Sequence, residues 1–282
     1  MPSMLSLASS MSPKMAARVA ARLFVSPNPR RELRPSERRI MDKAAVSKVR
    51  VRSCDVTVYE WAAGPDVVLL VHDWAGRASE FGLLIASIQA RGFTVVAFDA
   101  PASGESTGTT ADIGDYVDIM RRIQRTRGPL LGVIGHSFGA LAALCAVNEG
   151  LEAHRVVGVS PVPDLDHVLS EFARKLQLSD DIMAELVEHL RLTRSLGDGD
   201  IRERYSGVRN PVRVPTLFVQ RAGDVPVAAS ERLRAAHGET SRLLLASNLR
   251  YSSVLSLEMF DDVVGFLAGG LVLNNEDTHE LG

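Results

Sequence analysis

The sequence holds only two cysteines in 282 residues, too few for a disulfide framework. Cys54 falls in a strand-like stretch and Cys145 in a helix-like one, with no metal-ligand spacing, so a reducing, cytoplasmic setting is expected. No apolar run reaches the roughly 18 residues needed to cross a bilayer. An excess of one charge is also missing. The 32 basic and 34 acidic residues leave a net −2, which offers no hold for nucleic acid or an acidic polymer. No histidine occurs between His237 and His279. What remains is an ordinary globular balance, 46% hydrophobic and 23% charged, in a chain long enough to bury a full core.

The N-terminus is one-sided in charge. The first acidic residue is Glu32, preceded by Lys14, Arg18, Arg22, Arg30 and Arg31. Residues 12–24 have helical spacing, with the first three of those bases on one stripe and Met15, Val19 and Leu23 on the next. Three readings fit: a transit peptide, a membrane-surface helix making weak membrane contact, or a leading helix packed on the domain. Arg18 and Arg22 interrupt any apolar core that a secretory signal would need. Residues 26–37, with three prolines and several charges, read as a linker. This divides the chain into an N-terminal helix and linker (1–47), a main domain (48–270) and a polar tail (271–282).

The main domain alternates strand and helix. Residues 48–53 and 56–61 read as a hairpin turning at Cys54-Asp55. Residues 67–71 (VVLLV) are a continuous apolar run, as in a strand buried on both faces. Further strands follow at 93–98, 131–135, 155–159, 216–220 and 242–246. Helices are expected at 79–90, 113–127, 137–149, 228–237 and 256–268. Two antiparallel strands followed by six with helical crossovers argue for a mostly parallel α/β sheet of eight strands, covered on both faces. Residues 160–212 interrupt the rhythm with two amphipathic segments. Val168, Leu169, Phe172 and Leu176 form one apolar face; Ile182, Met183, Leu186, Val187 and Leu190 form the other. Such an insert would lie over the strand C-termini as a lid.

Gly135-His136-Ser137-Phe138-Gly139 sits between a buried strand and a helix of small residues. That is the setting of a nucleophile elbow. A Cβ at either glycine would meet the neighbouring strand or helix, and the helix N-terminus below the serine favours negative charge. The chain also carries His72-Asp73-Trp74-Ala75-Gly76 after the third strand, and Asp99, Pro101, Gly104 and Ser106 after the fourth. On these motifs residues 48–268 resemble the α/β-hydrolase family. The resemblance implies that fold, with Ser137 as nucleophile, the backbone N–H groups of Phe138 and Trp74 as oxyanion donors, and the His136 side chain turned away.

The resemblance also shows departures. The acid loop reads Gly223-Asp224-Val225-Pro226, short by about two residues, with Asp224 as the acid and a solvated turn residue as the alternative. The base position after the eighth strand holds Tyr251 where the family has histidine. A neutral tyrosine is a poor base but a hydrogen-bond donor. His237 precedes the last strand, His279 is in the tail, and His167 and His189 belong to the lid; His72 is structural in the family. Asp73 replaces the family's glycine beside the oxyanion hole. It would oppose an anionic intermediate, act as an acid or base, or turn outward to cap the following helix. Ala102-Ser103 also stand where Gly-His is common.

Three functions remain open. One is an enzyme with repurposed, non-hydrolytic or weak acyl chemistry on a hydrophobic metabolite, cyclase- or lyase-like, using Ser137, Tyr251, Asp224 and Asp73. The second is an esterase or thioesterase with its base from His72, His167 or His189. The third is a non-catalytic binding protein. No metal or organic cofactor is implied by histidine spacing or by a phosphate-cradling loop.

Overall fold

The computed structural model describes residues 12–27, 29–193, 199–221, 227–246 and 258–269. The main elements in chain order are α1 (Pro13–Phe24), α2 (Pro35–Met41), β1 (Ala45–Val51), β2 (Cys54–Trp61), β3 (Val67–Val71), α3 (Gly82–Ala90), β4 (Thr94–Phe98) and α4 (Ile113–Arg127). They continue with β5 (Gly132–His136), α5 (Phe138–Asn148), β6 (Val156–Val159), α6 (Leu165–Leu176), α7 (Asp180–Thr193), α8 (Ile201–Arg204), β7 (Thr216–Arg221), α9 (Val227–His237), β8 (Ser241–Ala246) and α10 (Glu258–Leu267).

The eight described strands form one sheet in the order β1-β2-β4-β3-β5-β6-β7-β8. β2 runs antiparallel to β1 and β4; every other pairing is parallel. The apolar runs explain the layering. Alternate residues of a strand point to opposite faces. Leu69, Val71, Val96 and Val133 therefore join one core cluster, shared with α4, α5 and the inserted helices. Val68, Leu70, Val95 and Ile134 join the other, under α3 and α10. α4 starts on a capping box, in which the Asp112 carboxylate accepts from Asp115 N (3.0 Å) and Asp115 accepts from Asp112 N (2.9 Å).

Two local expectations change. The hairpin turns at Arg52-Ser53 rather than at Cys54-Asp55, because Val51 pairs directly with Cys54. Arg52 takes a left-handed φ of 50° and is held there by Asp112 and Asp115 at 3.2 and 3.1 Å. The stretch after Pro29 is not an open linker. Arg30 donates to the carbonyls of Gly104, Ser106 and Gly108, Arg31 pairs with Glu37 and Glu80, and α2 begins at Pro35.

α1 packs against α7 of the inserted helices, and it does so with its alanines. Ala16, Ala17, Ala20 and Ala21 are buried, while Met15, Val19 and Leu23 point outward. Small side chains let two helix backbones approach closely, and that gain decides which side faces in.

Candidate active site

The elbow lies at the C-terminal end of β5. Ser137 has φ 51° and ψ −112°, a conformation that costs an L-residue on the order of 1–3 kcal/mol. Neighbours hold it there: Ser137 N donates to Val159 O of β6 (2.8 Å), and Ser137 O accepts from Ala140 N (3.0 Å). A Cβ on Gly135 would lie 2.5 Å from Ala140 N, and one on Gly139 would run into the carbonyl oxygens of Val71 and His72. The glycines thus let α5 sit against the end of β3.

Asp73 comes to the same place from the other side. Its Oδ1 accepts a hydrogen bond from Phe138 N at 3.0 Å. Of the three roles open to Asp73, the outward-turned cap is excluded. The side chain turns inward and caps the elbow helix, where the helix dipole favours a carboxylate. Its own carbonyl accepts from His72 Nδ1 (2.6 Å) and from the Tyr116 hydroxyl (3.3 Å), so the residue is fixed at both ends. Burial, and then the Asp73 charge, push the Tyr116 phenol well above its ordinary range, so it stays a neutral donor.

The histidines sort by their contacts. His72 Nε2 accepts from Ala100 N (2.9 Å), which leaves the proton on Nδ1 for Asp73 O. With both ring nitrogens engaged and the side chain fully buried, His72 cannot take a proton from Ser137. His136 turns toward Glu80, 3.9 Å away. Burial raises the Glu80 carboxyl, but His136 and Arg31 outweigh it and hold the group below its ordinary value. His167 and His189 are half-buried on α6 and α7.

His237 is buried at the end of α9. Its Nδ1 is bonded to Leu233 O (2.8 Å) and its Nε2 has no partner among the described residues. Burial lowers its pKa below the ordinary 6.5. Since the unfolded chain takes up that proton first, stability is expected to fall as pH drops below about 6.5. His237→Leu should flatten that acid limb in melting curves recorded across pH; an unchanged slope would refute the assignment.

An aromatic group lies over the elbow. Trp74 meets Phe138 edge-on (centroids 5.2 Å apart), and Tyr116 meets Phe138 from another side (5.3 Å). Phe24, the last residue of α1, stacks on Trp74 (6.4 Å) and meets Phe172 of α6 edge-on (5.1 Å). The structure thus brings Ser137, Asp73, Trp74 and Phe138 together. Asp224 and Tyr251 lie outside the described residues. Sequence reasoning did not place Phe24 or Tyr116 here. Phe24 carries no motif, and Tyr116 reads only as one apolar position of a helix. Among the described residues no group of three histidine, cysteine or acidic side chains is arranged to hold a metal ion.

A profile described as the alpha/beta hydrolase family matches residues 68–274. The chain belongs to the alpha/beta hydrolase family. A search of curated proteins finds no match. Among solved structures, an esterase of Pyrococcus furiosus aligns with TM-score 0.63 at 19% identity, covering 87% of this chain and 97% of that one. A monoacylglycerol lipase of Paleococcus ferrophilus gives 0.57 at 19%, covering 77% and 99%. The thioesterase domain of the curacin biosynthetic pathway gives 0.57 at 14%, covering 80% and 99%. At these identities the likeness is one of fold. In this alpha/beta hydrolase the Asp-x-Pro-x-x-Gly-x-Ser segment is a structural knot. The Asp99 carboxylate accepts from Ala78 N, Glu105 N and the Tyr59 hydroxyl, and Ser106 Oγ joins Asp99 O to Thr57 N.

Proposed function

We propose that this protein does not work as an ester hydrolase, and that it acts non-hydrolytically on a hydrophobic small molecule at the Ser137 elbow. The supporting observation is the 3.0 Å bond from Phe138 N to Asp73 Oδ1. A tetrahedral oxyanion would need that N–H and would meet a carboxylate instead. Two unit charges about 4 Å apart at an effective dielectric near 20 repel by about 4 kcal/mol. That amounts to roughly a thousandfold in rate. The absence of a histidine between β8 and α10, where the family places its base, adds a second barrier, since losing the base costs on the order of 10⁶ in a working triad.

In this reading Asp73 exchanges a proton with the ligand, the Ser137 hydroxyl orients it, and Tyr251 and Asp224 complete the site in a cyclase- or lyase-like reaction. A second reading, a non-catalytic binding protein, draws support from Phe24, Trp74, Phe138 and Phe172 closing over the elbow. The likeness to esterases and a thioesterase favours acyl transfer, but His72 has no free ring nitrogen for it.

A fluorophosphonate probe tests the central point. Wild-type Ser137 is expected to label slowly. Asp73→Gly should raise the labelling rate by up to about a thousandfold by freeing Phe138 N–H. Rapid, stoichiometric labelling of the wild type would overturn the proposal. Incubation of hydrophobic metabolites with wild type, Ser137→Ala and Asp73→Asn separates the two non-hydrolytic readings. A product lost in the variants supports the enzyme; a ligand retained unchanged supports the binding protein.

A further inference from the structure

We infer that the outward face of α1 is a docking surface for a membrane rich in anionic lipid. The packing leaves the larger apolar side chains of this helix outside. Its alanine face and Phe24 are turned into the protein, which leaves Met15, Val19 and Leu23 at 48%, 48% and 44% exposure. These three positions are spaced i, i+4, i+8 and form one stripe. Lys14, Arg18 and Arg22 form the adjoining stripe, all exposed, and none of the three makes an ion pair among the described residues. The exposed half of the helix is therefore part apolar and part basic, with no acidic residue anywhere on it.

That composition selects among occupants. A second copy of the chain using the same face would bring three bases against three bases, which costs energy unless acids intervene. An anionic lipid surface accepts both stripes at once. The apolar side chains enter the boundary of the acyl chains, and the bases stay at the headgroups. Residues 1–11 hold no acidic side chain that would offset the bases. No described helix is long and apolar enough to cross a membrane, which makes this a contact along the surface. The face also adjoins the site: Phe24, at the end of the same helix, stacks on Trp74 beside the elbow. A hydrophobic ligand leaving the lipid would reach the protein at that end of α1.

The test is co-sedimentation of the full chain with vesicles of phosphatidylcholine alone and of phosphatidylcholine mixed with phosphatidylserine. Binding to the mixed vesicles only, weakened by salt, is expected. Each base removed should weaken it about fivefold, so Arg18→Glu with Arg22→Glu should lower the partition coefficient by about 25-fold or more. Val19→Ser with Leu23→Ser should lower it about tenfold. All four positions are exposed, so melting temperatures should stay near wild type, and any loss then reports on the surface. No binding to the mixed vesicles, or equal binding to both kinds, would overturn the inference. So would a dimer in sedimentation velocity that the Val19 and Leu23 substitutions dissolve while vesicle binding is absent.

Discussion

Gly139→Ala is expected to remove a large share of the protein's stability. The added methyl would overlap the carbonyl oxygens of Val71 and His72 at the end of β3. Neither oxygen can swing aside as a long side chain could. β3 is bonded to β4 on one side and β5 on the other, so relief requires moving the centre of the sheet or lifting α5 away from it. Overpacking alone costs about 1–3 kcal/mol, and a clash with fixed backbone belongs to the tail of about 4–5 kcal/mol. Against a total of about 5–15 kcal/mol that is from about a third to nearly all of the margin. The melting temperature should fall by about 10–15 °C, or the chain should fail to accumulate folded. Gly150→Ala is the matched control. Its φ is 97° with no atom within 4 Å of the new methyl, so it costs only conformational strain, about 1–2 kcal/mol. Equal losses for the two variants, or a Gly139→Ala melt within about 2 °C of wild type, would refute this account of the elbow.

Asp99→Asn should be the next most damaging change. The carboxylate is fully buried and accepts from Ala78 N (2.8 Å), Glu105 N (2.9 Å) and the Tyr59 hydroxyl (2.8 Å). An amide has one acceptor oxygen. In either orientation its NH2 faces a backbone N–H, which loses a bond to a charged group and leaves a buried donor unpaired. The expected cost is about 2–4 kcal/mol, seen as a melting temperature lowered by about 5–10 °C. The size difference is negligible, so packing cannot explain such a loss. Gly104 belongs to the same knot: it has φ 43°, and a Cβ there would come 2.7 Å from Asp99 Oδ1. A wild-type melting temperature for Asp99→Asn would show that the Asp99 charge does not hold this loop.

The fold was legible in the sequence because its signals are local. Val67–Val71 and Val133–Ile134 read as buried strands on apolar content alone, and the motif around Ser137 followed one of them into a helix of small residues. The hairpin turn was misplaced by two residues because its determinant is distant: Arg52 is held by Asp112 and Asp115, sixty and more positions along the chain. Which face of α1 is buried was not legible for a similar reason. A hydrophobic stripe is the usual buried side, but α7 selected the alanines instead.

At Ser137 the same division holds. The sequence by itself determined the elbow, both of its glycines, the presence of an acidic residue at position 73, and the lack of a histidine between β8 and α10. Tertiary structure alone decided what that acidic residue does. Asp73 could have faced solvent; the packing of β3 against α5 put its oxygen 3.0 Å from Phe138 N. Tertiary structure also placed Phe24 over Trp74 and left Met15, Val19 and Leu23 outside. The physical reason is common to all three. Residue type and spacing fix what a segment can form, whereas the partner of each polar atom and apolar face depends on which distant segment reaches it first at close packing.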